Sequence, residues 1–230
     1  MAAMPARWTA IAWTWRKKCG AFIVNINYTK LDIKPFPYPQ EEIRDTVLWF
    51  RDHAGEYGID PERFALMGYS AGGHLAAASA LMLKDGGFKV SAQVLCYPFL
   101  DFTSFNALGE NAEGKVMYEL FFPDGIKPED PYISPGLAAE RQMEGMTPVA
   151  FVVCGPDPLT EHAKAYQRRL AASGVQTSLQ LYERALHGFL EVNHKEYPDQ
   201  EGKNPEQEAL AKEAEDYIAG TLKQIWEKKA

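Results

Sequence analysis

The sequence predicts an α/β fold in which a mostly parallel sheet carries helices on both faces. Apolar, β-rich runs recur at 21–28 (AFIVNINY), 63–69 (RFALMGY), 90–99 (VSAQVLCYPF), 149–155 (VAFVVCG) and 177–183 (TSLQLYE). They are continuous rather than alternating, the pattern of strands buried on both faces. Helix-like segments separate them, and strand alternating with helix points to a doubly wound sheet. At 230 residues, 46% of them hydrophobic, the chain suits a single domain over 1–230.

The helical segments follow in order. Ile43, Val47 and Phe50 recur at helical spacing in QEEIRDTVLWFRDHAGEYG, with Leu48 beside that stripe. LTEHAKAYQRRLAASG ends in the glycine expected just past a helix. The last helix opens at NPEQ: Asn204 is its cap, Pro205 suits the first helical position, and Gln207 sits where a capping-box partner would reach back. Leu210, Ala214, Tyr217, Ile218, Leu222 and Ile225 then form one apolar stripe. Residues 103–146 break the pattern by mixing Pro, Gly and charge with an apolar patch, Met117 to Phe122. That stretch reads as a cap-like insertion overhanging the crevice beyond the strand ends, where open α/β sheets bind ligands.

A formal net charge of −7 and a pI near 5.3 argue against a nucleic-acid or anionic-membrane partner, since no cluster of Lys and Arg is present to grip phosphate. Cys19, Cys96 and Cys154 are an odd number and far apart, so they read as reduced core thiols. The N-terminal stretch carries most of its charges after its apolar part and lacks a cleavage site, unlike a secretory signal. No apolar run approaches the roughly 20 residues of a membrane-spanning helix. The expectation is a cytoplasmic protein needing neither a metal nor an organic cofactor.

Chemistry enters at Gly68-x-Ser70-x-Gly72. A serine hydroxyl is a poor nucleophile until a base takes its proton, so it must be presented with room around its oxygen. A sharp turn from strand to helix does this, with small residues two before and two after the serine relieving the crowding; RFALMGY before and AGGHLAAASALML after supply the context. The base should be a histidine on a loop after a late strand. His187, after the run ending near Tyr182 and followed by a glycine, has that position. His53, His162 and His194 read as solvated side chains, and His74 as a residue packing along the serine's own helix. For the group that orients the imidazole, Asp157 on a Pro-bracketed turn after a strand is favoured over Asp101, which also follows one. Asp157 would equally serve as a turn or cap residue for the helix beginning near Leu159.

DPERFALMGYSAGGHLAA, CGPDPLTEHAKAYQRRLAASGV and ALHGF together resemble the hormone-sensitive-lipase-like, or α/β-hydrolase fold-3, carboxylesterases and acetyl esterases. The likeness runs from about Trp8 to the C-terminal helix. It implies an α/β-hydrolase fold with Ser70 as nucleophile, Asp157 as acid and His187 as base. It also implies the Ala71 N–H as an oxyanion donor. The family's His-Gly-Gly-Gly loop, which supplies the other donors, has no counterpart among these 230 residues. The resemblance therefore implies an N-terminally shortened sheet lacking the first three strands. AFIVNINY and RFALMGY would then pair directly, be bridged by N-terminal residues, or be completed by a second chain in a homodimer covering the exposed sheet region.

The function expected is hydrolysis of short-chain, acetyl-type esters through an acyl-enzyme, with a small-molecule ester as substrate. Phe99, Leu100, Phe121, Phe122, Leu186 and Phe189 are the candidate apolar pocket wall. Two alternatives stand beside it: a catalytically impaired remnant acting as a binding or structural protein, and a serine peptidase.

Overall fold

Four of the five apolar runs form strands in the structure, a computed structural model that describes residues 6–104, 122, 126–194 and 203–228. The strands are β1 (Ala65–Tyr69), β2 (Ala92–Cys96), β3 (Val149–Cys154) and β4 (Thr177–Tyr182). They lie in the order β1-β2-β3-β4 and every pair is parallel. The helices are α1 (Ala6–Cys19), α2 (Tyr38–Asp52), α3 (Ala54–Tyr57), α4 (Ala71–Asp85), α5 (Glu140–Met143), α6 (Leu159–Ala172), α7 (Phe189–Val192) and α8 (Pro205–Glu227). Among the described residues, no helix is long and apolar enough to cross a membrane.

The period of two along each strand splits the core into two layers. Leu95, Phe151 and Val153 face one side, where Ile43 and Val47 of α2, Leu81 of α4 and Tyr166 and Leu170 of α6 close over them. Val94, Cys96, Val152 and Cys154 face the other, against Ile11 and Trp15 of α1 and Ala214, Ile218 and Leu222 of α8. Helices thus cover both faces, which is why the strand sequences are apolar throughout. Cys96 and Cys154 are buried thiols in that second layer.

Residues 21–28 correct the sequence expectation. They form no strand, although Ile23 packs on the α1–α8 layer and Ile26 and Tyr28 on the other. A strand exists only as a member of a hydrogen-bonded ladder, and no described strand lies along the free edge of β1. The run is anchored instead at its end, where Thr29 donates from its N–H and hydroxyl to the Glu42 carboxylate at 2.7 and 2.9 Å. Direct strand pairing with β1 is absent among the described residues, and no N-terminal strand bridges the two there; Trp15 of α1 instead donates to the Tyr69 hydroxyl at the end of β1 at 2.7 Å.

Much of the insertion assigned to 103–146 lies outside the described residues. Its described part from 126 onward packs down on the helices. Gly136 N–H donates to the Leu100 carbonyl at 2.9 Å, and Arg169 of α6 donates to the Gly136 and Ala138 carbonyls. His74 of α4 joins the same seam: its Nε2–H donates to the Ile133 carbonyl at 2.8 Å and its ring meets Phe102 at 4.9 Å.

Burial pushes the His74 pKa from 6.5 down to about 4, against the opposing pull of the Ile133 carbonyl. The folded protein therefore resists a proton that the unfolded chain accepts. The stabilisation is fully present above pH 6.5 and is lost as pH falls toward about 4, on the order of 3 kcal/mol in all. Urea midpoints across that window should fall more steeply for the wild type than for His74→Gln, which keeps a donor but cannot titrate. Parallel slopes would show that His74 is not the group responsible.

Candidate active site

The register brings the C-terminal ends of the strands level, with Tyr69 beside Cys96 and Cys154 beside Tyr182. Each strand hands its chain to a turn at the same rim. β1 leads into Ser70, β2 into Tyr97, β3 into Asp157, and β4 into the loop carrying His187.

Ser70 sits at φ 50°, ψ −115°, a conformation disfavoured for an L-residue, at the junction of β1 and α4. Its N–H donates to the Cys96 carbonyl at 2.9 Å, and its carbonyl accepts from the His74 N–H at 3.1 Å, so the turn is held from both sides. The crowding relief expected of the flanking glycines falls on one of them. A Cβ on Gly68 would lie 2.0 Å from the Gly72 carbonyl oxygen, whereas one on Gly72 would meet nothing within 4 Å. Gly73 is the second tight position, where a Cβ would lie 3.1 Å from Pro98 Cβ.

Ser70, His187 and Asp157 meet. His187 Nε2 is 2.8 Å from Ser70 Oγ, and its Nδ1 is 2.6 Å from Asp157 Oδ2. A carboxylate beside Nδ1 selects the tautomer with its proton there, leaving Nε2 as an acceptor for the serine hydroxyl. The Asp157 side chain is 2% exposed and that of His187 41% exposed, so the acid is sealed while the base opens to solvent. Asp157 also performs the local role: its Oδ1 accepts from the Leu159 N–H at 2.9 Å at the start of α6. The turn carrying it approaches β4 closely, since a Cβ on Gly155 would lie 2.1 Å from the Glu183 carbonyl oxygen. Ala71 occupies the first position of α4, where backbone N–H groups lack intrahelical partners and the helix dipole favours negative charge.

The rival residues lie elsewhere. Asp101 is engaged by the Thr103 N–H and hydroxyl at 2.9 and 2.5 Å. His53 bonds the Trp49 carbonyl and stacks on that indole. His194 is buried rather than solvated, 2.9 Å from Thr14 Oγ1 of α1. Of the candidate pocket wall, Leu186 is exposed beside His187, and Phe99 is half-buried against Phe102 at 4.4 Å. Leu100 is buried and lines a cavity of about 320 Å³ with Asp101, Leu137, His162 and Tyr166. Phe122 packs with Phe102 and Ile133, and Phe189 with Tyr97 and Tyr182, both as core. Phe121 lies outside the described residues.

Two residues at the site escaped the sequence reading. The Gln207 amide does not close a capping box: Asn204 Oδ1 accepts from the Gln207 N–H at 3.0 Å, but the buried Gln207 side chain turns away from the cap. Its Oε1 accepts from the Leu186 N–H at 2.9 Å and its Nε2 donates to the Arg184 carbonyl at 2.7 Å, bracketing the loop that bears His187. Tyr97, fully buried, sets its ring 5.0 Å from the His187 imidazole in an edge-on contact.

The alpha/beta hydrolase fold-3 model, described as an alpha/beta hydrolase fold, matches residues 4–191. The chain belongs to this family. Within the alpha/beta hydrolase fold-3 family it is similar to an arylesterase of Saccharolobus solfataricus, 29% identical over 192 residues, 79% of this chain and 62% of that one. It is also similar to the carboxylic ester hydrolase LipN of Mycobacterium tuberculosis, 30% identical over 186 residues, 74% of this chain and 49% of that one. The chain thus spans from about half to just over three fifths of the length of these curated relatives. Among solved structures, a hyperthermophilic esterase from Pyrobaculum calidifontis matches with a TM-score of 0.77 at 25% identity, covering 94% of this chain and 70% of that one. Carboxyl esterase 2 of Tuber melanosporum shares the fold, with a TM-score of 0.79 at 24% identity over 96% of this chain and 74% of that one.

Proposed function

We propose that the protein is a serine carboxylic ester hydrolase acting on short-chain, acetyl-type esters. The observation that carries this reading is the continuous file from Ser70 Oγ through the His187 imidazole to buried Asp157, at 2.8 and 2.6 Å. The esterases and carboxylic ester hydrolases to which the chain is similar support it.

In the proposed reaction, His187 Nε2 takes the Ser70 proton as Oγ attacks the ester carbonyl carbon. The new oxyanion faces the Ala71 N–H at the head of α4. As the carbon–oxygen bond of the alcohol breaks, His187 returns the proton to the leaving alkoxide, and an acyl group stays on Ser70. Water then repeats the sequence: His187 removes its proton, the hydroxide attacks the acyl carbonyl, and Ser70 leaves reprotonated. Asp157 keeps the proton on Nδ1 and stabilises the imidazolium formed in each half.

The test is hydrolysis of para-nitrophenyl acetate by the wild type beside Ser70→Ala. A rate that disappears in Ser70→Ala is expected, and equal rates would sink the reading. Labelling of Ser70 by a fluorophosphonate is a second test, since it reports an activated serine whatever the turnover of this ester.

A further inference from the structure

Only two non-glycine residues among those described have positive φ: Ser70 at 50° and Tyr97 at 38°. Such backbone costs of order 1–3 kcal/mol and persists where the surroundings enforce it. At Ser70 the strain exposes the hydroxyl. At Tyr97 it accompanies an N–H donated to the Val152 carbonyl at 2.7 Å and a ring turned inward beneath the rim. There the phenol lies 5.0 Å from the His187 ring, 5.8 Å from Phe189 and 6.3 Å from Tyr69.

The Tyr97 hydroxyl donates to Glu191 Oε2 in a short hydrogen bond. Glu191, on α7, keeps its other oxygen 3.7 Å from the point where a side chain on Gly188 would begin. The carboxylate is therefore packed under the backbone that immediately follows His187. Burial raises the Glu191 pKa, while the Tyr97 hydroxyl, its own N–H and the His187 charge pull it back down. A half-buried carboxylate is costly to keep charged unless it is hydrogen-bonded, and here the bond comes from Tyr97, whose ring also flanks the imidazole.

We propose that Tyr97 and Glu191 form a positioning pair for His187, fixing the imidazole at its flank and setting the pH at which it takes up a proton. Electrostatic linkage is mutual: the imidazolium favours the ionised carboxyl, so the ionised carboxyl favours the imidazolium. The other titratable groups around the pair are Tyr69 on β1, Cys96 on β2, Cys154 on β3, and Asp157 on the far side of the imidazole. Burial pushes both thiols and both phenols upward, which leaves Asp157 and Glu191 as the acids bearing on the ring. On α8, Glu215 bears on Tyr69, and Glu213 and Asp216 bear on Tyr182. At the end of α7, His194 is bonded to Thr14.

The inference rests on the reading of His187 as the base, and its test does not require turnover. The His187 imidazole is titrated by NMR, assigned through the resonance lost in His187→Asn. The midpoint is expected to fall by about 0.5–1 pH unit in Glu191→Gln, which keeps the shape and loses the charge, and to return in Glu191→Asp. Tyr97→Phe leaves the half-buried carboxyl without its donor and favours its neutral form, so it moves the midpoint the same way. Should Glu191→Gln fail to fold, that variant decides alone. The acid limb of kcat/KM shifts to lower pH in parallel, with KM changed less than about twofold, because the pair does not touch substrate. An unmoved midpoint in Glu191→Gln, or in Tyr97→Phe where it stands alone, overturns the proposal. A wild type without serine-dependent turnover would instead sink the esterase reading, and the titration would still decide the role of the pair.

Discussion

Asp157→Asn is expected to lower kcat by about four orders of magnitude while leaving KM within a few-fold, the scale on which a triad loses function when its imidazole is held in the wrong tautomer. The reason lies in the two duties of one carboxylate. Oδ2 faces His187 Nδ1 at 2.6 Å and Oδ1 accepts from the Leu159 N–H at 2.9 Å. An amide has only one acceptor oxygen. If that oxygen keeps the Leu159 bond, the NH₂ group points at Nδ1 and demands an acceptor there. The ring proton then moves to Nε2, where it faces Ser70 Oγ and cannot receive the serine's proton. If the amide flips, the tautomer is kept but two donors oppose each other at Leu159, and the start of α6 loses its bond at a cost of about 1 kcal/mol. The two orientations separate experimentally. The first gives a folded protein of near-native melting temperature with no burst of para-nitrophenol; the second gives lowered stability with partial activity. A fall in kcat of less than tenfold, with stability unchanged, would show that Asp157 is only the turn residue that its setting also allows.

The parts of this site legible in the sequence are those whose constraint is local. Gly68, Ser70 and the strand and helix flanking them lie within a few residues of one another, and the turn they form leaves its signature there. His187 and Asp157 are legible because each follows a strand end, and a parallel sheet gathers strand ends on one rim whatever the spacing along the chain. What escaped depends on partners distant in sequence. The run at 21–28 has the strand-forming composition but no neighbouring strand among the described residues, and β-propensity says nothing about whether a ladder partner is there. Gln207 has the pattern of a capping box, yet the carbonyl and N–H that claim its amide belong to Arg184 and Leu186 on another element. His194 sits among polar residues and reads as solvated, but Thr14, 180 positions away, closes over it. Tyr97 precedes a proline, which biases a residue toward extended backbone, and its positive φ accompanies a bond to Val152 on β3.

The same distinction between motif and physical cause bears on the two glycines of Gly68-x-Ser70-x-Gly72, which the pattern treats alike and the packing does not. Gly68→Ala is expected to cost more than about 3 kcal/mol, lowering the melting temperature by roughly 10 °C or preventing a soluble product. Its Cβ would lie 2.0 Å from the Gly72 carbonyl oxygen, 2.2 Å from the carbon behind it and 2.6 Å from the Gly73 nitrogen. All three are backbone atoms of the first turn of α4, so no rotamer change relieves the overlap. That turn is also closely packed on its other side, since a Cβ built on Gly73 would lie 3.1 Å from Pro98 Cβ and 3.2 Å from the Gly68 carbonyl oxygen. Moving α4 would carry Ser70 away from His187 and open the 2.8 Å contact on which the proposed chemistry depends. Gly72→Ala adds a methyl where nothing lies within 4 Å, in a helix where alanine is favoured over glycine by up to about 1 kcal/mol. It should fold at least as well as the wild type. Thermal melts of the two variants, with fluorophosphonate labelling of Ser70 as the second readout, test the contrast. Equal destabilisation by both would mean that the elbow needs glycine for backbone freedom at each position, and that the close approach of Gly68 to α4 is not what holds the serine in place.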